Sequence, residues 1–441
     1  MKKFLPSPFS IAILLTITIT LISLILTKNH IKDVIFFWEN GLWNPALMNF
    51  AMQMMLMLVL GYVIALSNTF KKIINHITFF CNTTSSAACL VCFFTIIVSL
   101  INWGLGLVFG AILARQVGEF AVQKNIKLNY PLIGAAGYSG LMVWHGGLSG
   151  SIPLKIAEEN HFSEIINNNE LLKQLPAEGI HFGSTIFSSM NLTASLLLLF
   201  LLPLTVFCLG KYNPIGTPFR FKKDKKTTNK EQPIGIEKID FSIFFSKLIG
   251  LFILIIAITK ALSATSIAFI NPNFVNLSLF GLAIFVHKNF NEFLIAVNEA
   301  IISASGILIQ FPLYFGIMGI MNQSGLVDIF ANFFIQISNI KTYPIFTMIS
   351  GGVVNIFVPS GGGQWAVQGP IVLQSALELG VSVPKSIMAL AYGDQLTNML
   401  QPFWALPLLG ITQLKATQIL PYTILIMMVG IIIFSTCLMI F

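Results

Sequence analysis

Apolar residues in this chain run unbroken for the thickness of a bilayer, rather than alternating with polar ones at the period of a surface helix or strand. Stretches at 8–27, 45–68, 86–113, 183–210, 242–264, 274–287, 297–321, 386–413 and 417–440 mostly reach the ~20 residues that a helix needs to cross hydrocarbon, which predicts nine spans. Two further stretches, near 130–153 and 344–373, are apolar but hold glycine and proline clusters that break an ordinary helix. They predict re-entrant hairpins or broken helices at membrane depth. The segment 71–82 and, more weakly, 326–340 gather apolar residues on one helical face and predict helices lying in the interface. The expected fold class is an all-α, polytopic integral membrane protein.

Composition agrees. Hydrophobic residues make up 55% of the 441 residues and charged ones 10%, against about 25% charged in soluble domains. A soluble fold of this size could not cover its surface with so few polar side chains. The net charge of +8 lies mostly between apolar runs, without the basic face and interleaved aromatics of a nucleic-acid module, so no nucleic-acid partner is expected. The polar stretch from Lys211 to Lys247 carries nine Lys/Arg against four Asp/Glu, which places a basic linker, 211–241, in the cytoplasm. The loop from Lys155 to Glu178 has five Glu and two Lys, and one span separates it from that linker, so it belongs on the other side. The N-terminal Met1-Lys2-Lys3 and the apolar run to Leu26 look like a signal peptide, but the run is long enough to span and lacks a small-residue cleavage site. A retained first helix is expected. Five cysteines are scattered through or beside apolar runs, and the one tempting spacing, Cys89-x-x-Cys92, sits inside a predicted span with no nearby acidic or histidine partner, so packing residues and no metal site are expected.

Two halves echo each other. Ile101-Asn-Trp-Gly-Leu-Gly106 is answered by Ile309-Gln-Phe-Pro-Leu-Tyr314. Gly146-Gly-Leu-Ser-Gly-Ser151 is answered by Pro359-Ser-Gly-Gly-Gly-Gln364, and Ser188-Ser-Met-Asn191 by Gln395-Leu-Thr-Asn398. All three offsets fall at roughly 205–215 positions, as an internal duplication would give. The expected organisation is a first repeat half, 1–210, with its hairpin near 130–153, the linker, and a second half, 242–441, with its hairpin near 344–373. Span parity leaves open whether the halves are inverted.

Broken helices inside a bilayer leave backbone groups unpaired, at several kcal/mol each, unless something satisfies them. Glycines Gly146, Gly147 and Gly150, and Gly361, Gly362 and Gly363, let backbone N–H groups approach an anion closely. Ser149, Ser151, Ser188, Ser189, Asn191, Ser360, Gln364, Thr397 and Asn398 add donors for a carboxylate or oxygens for a sodium ion. These residues are the candidate substrate site; the plainer alternative is that they only tie helices together. Asp394, inside the second broken helix, is the clearest intramembrane acid and a candidate ion-coupling residue, with a structural cap as its alternative. His145, directly before the first glycine cluster, is the candidate proton carrier, or else a simple hydrogen-bonding residue. Arg115 and Lys260 lie toward span ends, where long cationic chains snorkel, and receive no substrate role. Trp103, Trp144, Trp365 and Trp404 flank the breaks, either lining a cavity or anchoring at the interface.

The motifs Asn102 to Gly106 (NWGLG), Tyr138 to Leu154 (YSGLMVWHGGLSGSIPL), Val358 to Pro370 (VPSGGGQWAVQGP) and Tyr392 to Pro407 (YGDQLTNMLQPFWALP) closely resemble the bacterial short-chain fatty acid transporter family, over nearly the whole chain. That resemblance, within a broader superfamily of ion transporters, implies inverted repeats with paired hairpins, import of acetoacetate- or butyrate-like anions and residence in the bacterial inner membrane. The expected function is secondary transport of such monocarboxylates by proton or sodium symport with alternating access. The partners are the monocarboxylate and the lipid bilayer, a homodimer is compatible with the sequence, and no cofactor is implied beyond the coupling H+ or Na+. A sodium/proton antiporter, another organic-anion carrier of the same superfamily and an anion channel are the alternatives. No H-E-x-x-H, G-x-S-x-G or phosphate-loop pattern occurs, so an enzyme is not expected.

Overall fold

The computed structural model describes residues 8–69, 72, 78–159, 161–165, 172–216, 219, 221, 235–264, 269 and 271–441. Half of the expected interfacial helix at 71–82 and just over half of the linker lie outside these residues. The described chain is all helical. In order it forms α1 (Pro8–Leu26), α2 (Ile31–Leu42), α3 (Pro45–Leu66), α4 (Thr84–Ile101), α5 (Trp103–Gln123), α6 (Tyr130–Tyr138), α7 (Ser151–Ile156), α8 (His161–Ile165) and α9 (Ser189–Tyr212). There follow α10 (Ile243–Leu262), α11 (Pro272–Val286), α12 (Phe290–Gln323), α13 (Leu326–Gln336), α14 (Tyr343–Phe357), α15 (Gly361–Glu378), α16 (Val383–Thr397), α17 (Pro402–Thr412) and α18 (Ala416–Ile440). Seven of these, α1, α3, α4, α5, α9, α10 and α18, are long and apolar enough to cross a membrane.

Helix starts follow capping chemistry. Asn44, Thr83, Asn102, Asn129, Ser188, Ser242, Asn271, Asn289 and Ser360 each accept a backbone N–H of the first turn that follows, satisfying a donor the helix cannot pair itself. Large apolar side chains stay outward on the long helices, among them Ile25, Phe200 and Phe252, each more than half exposed. Such faces suit lipid and not water.

Three expectations are corrected. The run 86–113 is not one span. Asn102 is extended, at φ −151° and ψ 123°, ends α4 and caps α5, and the two helices fold back on each other. The fold-back requires Gly106, because a Cβ there would stand 1.9 Å from Ser99 Oγ and 2.6 Å from Ser99 Cα. The first-half hairpin is therefore α4–α5, whereas 130–153 is a broken helix: α6 runs into two 3-10 turns at Ser139–Met142 and Trp144–Gly146 before α7 restarts. Finally, Ile309 to Tyr314 lies inside the continuous helix α12 and does not match the break at Asn102.

Helices α14 and α15 lie in the stretch 344–373 and its flanks, joined by Val358 to Ser360. After them comes a second broken helix, α16, a 3-10 turn at Asn398–Leu400, and α17. Helices α1, α2, α3, α10, α11 and α12 pack with one another as one layer, and the hairpins, broken helices, α9 and α18 form another. The layers meet through aromatic rings: Phe311 stacks on Phe403 at 3.9 Å, and Phe50 meets Trp103 and Trp404 at 6.1 and 6.0 Å.

Candidate functional site

Both hairpin turns and both broken helices converge. At the first turn, the Trp103 N–H donates to Ser149 Oγ (2.9 Å) and the Leu148 N–H to the Leu100 carbonyl (2.7 Å), pinning the turn to the loop of the first broken helix. Gly147 permits this approach, since a Cβ would lie 2.3 Å from the Leu100 carbonyl oxygen. The first broken helix then meets the second: the His145 N–H donates to Gln395 Oε1 (3.0 Å), and His145 Nε2 lies 3.2 Å from Asp394 Oδ1. That distance is within ion-pair range, yet the two atoms are not aligned as a hydrogen bond. Both side chains are buried, at 0% and 1% exposure, so neither has water to stabilise a lone charge.

The turn of the second hairpin covers this pair. A Cβ on Gly361 would stand 2.6 Å from His145 Cε1, 2.7 Å from Nε2 and 3.0 Å from Trp144 Cη2, so glycine places the start of α15 against the imidazole. Ser360 caps α15 by accepting from the Gly363 N–H (3.2 Å). The Gly361 and Gly362 N–H groups are among the leading donors that a helix leaves unpaired, at its positive end. Gly362 faces open space. Around the same point, Trp144 Nε1, His145 Nδ1, Asp394 Oδ2 and Asn398 Nδ2 are buried without a hydrogen-bond partner among the described residues. Buried polar atoms are nearly always paired, so such a concentration marks a place where ligand, ion or water completes the bonding.

A web of amides holds the frame. Asn355 Nδ2, on α14, faces the Asp394 carbonyl (2.7 Å), Thr397 Oγ1 (2.9 Å) and Asn398 Oδ1 (3.0 Å). Thr397 Oγ1 in turn donates to the Gly352 carbonyl (3.0 Å). Asn191 Nδ2 donates to the carbonyls of Gly146 (2.9 Å) and Ile186 (2.7 Å), while its Oδ1 accepts from the Tyr392 hydroxyl (3.0 Å). The Tyr138 hydroxyl donates to the Asn398 carbonyl (2.8 Å), and Gln401 Nε2 donates to the Asn355 carbonyl.

Of the residues singled out in sequence, His145, Gly146, Gly147, Ser149, Asn191, Ser360, Gly361, Asp394, Thr397 and Asn398 come together here. Others stand apart. Gly150 packs on the His145 carbonyl and caps α7, which Ser151 begins. Gly363 sits against Ser360 and Met318. Gln364 is buried one turn into α15, where its Nε2 donates to the Gly351 carbonyl and Gln368 Oε1. Ser188 is occupied in capping α9, and Ser189 is exposed. The tryptophans are internal: Trp103, Trp144 and Trp404 cluster, with Trp103 centroids 5.8 and 5.1 Å from the other two, while Trp365 donates to His161 Nε2 (2.9 Å). Arg115 does not snorkel. It is buried, pairs with Glu119 at 2.6 Å, donates to the Ile411 carbonyl (3.0 Å) and lies under the Phe221 ring, tying α5 to the end of α17. Asn355, Gln395 and Gln401 went unselected in sequence; their one signal is a polar side chain inside an apolar run.

Helices long enough to span, unwound at depth around buried, unpaired polar atoms, define a polytopic membrane protein built to bind a small solute in its interior. The family model for the short chain fatty acid transporter matches residues 1–441, and the chain belongs to that family, whose members are transporters and not enzymes. It is 35% identical over 429 residues to a protein of Escherichia coli (strain K12), covering 96% of this chain and 93% of that one. It is 34% identical over 435 residues to one of Haemophilus influenzae, with the same coverage. Both carry the name short-chain fatty acid transporter. Among solved structures it is similar to the YdaH transporter of Alcanivorax borkumensis, at TM-score 0.48 and 15% identity over 98% of each chain. It is also similar to MtrF of Neisseria gonorrhoeae, at TM-score 0.39 and 14% identity over 98% and 95% of the two chains.

Proposed function

We propose that this chain carries short-chain monocarboxylates such as butyrate or acetoacetate across the bacterial inner membrane by alternating access, with a proton as the coupling ion. The observation that carries the proposal is the buried His145–Asp394 pair under the glycine turn of α15. A proton arriving on His145 turns a lone buried carboxylate into a compensated ion pair, which lowers the cost of bringing in a second negative charge. The substrate carboxylate then takes the Gly361 and Gly362 N–H groups and the Trp144 indole N–H, a donor set that needs no arginine. One acid, one imidazole and neutral donors suit one carboxylate better than two.

In this reading the halves are inverted repeats, each a hairpin, a broken helix and a long span. The open end of the first hairpin lies by the C-terminal end of α9, with Thr84 Oγ1 donating to the Pro214 carbonyl and Ser85 against Gly210. The open end of the second packs instead on the acidic-loop face, where Val372 and Leu373 join Ile152, Ile156 and Leu175. Such opposed hairpins support alternate opening to the two sides.

The test is uptake of labelled butyrate into proteoliposomes under an imposed proton or sodium gradient, with wild type, His145→Gln and Asp394→Asn. Proton-driven, saturable uptake lost in both variants is the expected outcome. Sodium-driven uptake that survives in both would reassign the coupling ion, and flux at channel rates without saturation would remove the carrier reading.

A further inference from the structure

Beside the second break lies a half-open, mostly apolar pocket of about 150 Å³, outside the cluster around His145. Its walls come from α1 (Ile11), α6 (Tyr138), the break itself (Leu400 and Gln401) and the first turns of α18 (Leu420 and Thr423). Among the described residues, no acid, cation or imidazole lines it. A space of this volume has room for a hydrocarbon of about six carbons. Its position is equally specific. The start of α18 adjoins the end of α9, through Asn129 Nδ2, which donates to both the Tyr422 hydroxyl (2.8 Å) and the Asn213 carbonyl (3.1 Å). The cavity therefore belongs to the half of the molecule from which the basic linker leaves.

Two of its wall residues are also members of the amide web. The Tyr138 hydroxyl donates to the Asn398 carbonyl (2.8 Å) and the Gln401 carbonyl (3.3 Å), and Gln401 Nε2 donates to the Asn355 carbonyl, next to the Asp394 cluster. Gln401 Oε1 is buried and unpartnered. Tyr138 and Gln401 thus stand between the polar bonding at the break and the aliphatic wall.

We infer that this cavity is the subsite for the substrate's alkyl chain on the linker side, and that Leu400, Leu420 and Ile11 set the chain length the carrier accepts. The inference rests on the short-chain acid reading and adds to it the residues that read the tail. A carboxylate head has no cationic partner among the described residues of such walls, whereas each methylene buried there raises affinity about fourfold. Discrimination between acids that differ only in length then follows from the wall, with the carboxyl end handled at the break.

The experiment is competition by acetate, butyrate and hexanoate against labelled butyrate uptake in proteoliposomes. It compares wild type with Leu420→Ala, which enlarges the cavity, and Ala416→Leu, which fills it from the first, half-buried residue of α18. Elution as a single species and an unchanged helical spectrum establish that each variant is folded. With octanoate added as a fourth competitor, wild type is expected to favour hexanoate over both acetate and octanoate. Ala416→Leu is expected to reduce the preference for hexanoate over acetate at least tenfold, and Leu420→Ala to extend it to octanoate. A preference identical in all three folded proteins overturns the inference and leaves the cavity to a bilayer acyl chain, while the carrier reading stands. No uptake by folded wild type removes the carrier reading itself.

Discussion

Asn355 is the strongest lever on the frame of the site. Its amide nitrogen has two protons and faces three acceptors at 2.7, 2.9 and 3.0 Å, all on the second broken helix. Replacement by leucine keeps the volume and removes both donors. Two buried hydrogen bonds lost at about 1 kcal/mol each, with Asn398 Oδ1 left as an orphaned acceptor at about 1–3 kcal/mol more, give a cost of about 3–5 kcal/mol. Replacement by aspartate is worse, because a carboxylate brings negative charge and no donor to the same three oxygens. The melting temperature of purified protein should therefore fall in the order wild type, Asn355→Leu, Asn355→Asp, and butyrate uptake should drop at least tenfold in both. If Asn355→Asp melts with wild type, this amide does not hold the hairpin to the break.

Gly361→Ala drives a methyl into the His145 ring, at 2.6 Å from Cε1, and overpacking of about 1–3 kcal/mol should cut uptake several-fold to a hundredfold, read as initial rate per folded protein. Ser149→Ala orphans the buried Trp103 N–H, and a fall of about 1–3 kcal/mol in stability is expected by thermal unfolding. Tyr392→Phe frees Asn191 Oδ1 and should cost about 1–2 kcal/mol, whereas Ser189→Ala, at an exposed position, should change neither melting nor uptake.

Much of this architecture is legible in one sequence because bilayer thickness and helix breaking are local constraints. The second hairpin is plain from Pro359 and three consecutive glycines. The first is not, because its turn costs a single residue: Asn102 interrupts an apolar run that hydropathy alone averages into one span. The repeat spacing misled for the same reason, since Ile309 to Tyr314 has the polar and proline content of a break but stays helical inside α12. Chemistry is legible where charge is rare, hence His145 and Asp394; their pairing across the two breaks appears only in the fold. Asn355 and Gln401 were hidden because an amide in an apolar helix looks the same in sequence whether it links helices at random or meets three acceptors at once. Arg115 reads as a snorkelling span-end residue because hydropathy does not register its i,i+4 partner Glu119, and the Ile411 carbonyl that it also meets is brought near only by the fold.

The most direct test of the account is proton-driven uptake of labelled butyrate by proteoliposomes holding the His145→Gln protein beside wild type, with sodium absent and then present. The account predicts saturable uptake by wild type that follows the imposed proton gradient, ignores sodium and is lost in the variant. Undiminished proton-driven uptake by His145→Gln would contradict it.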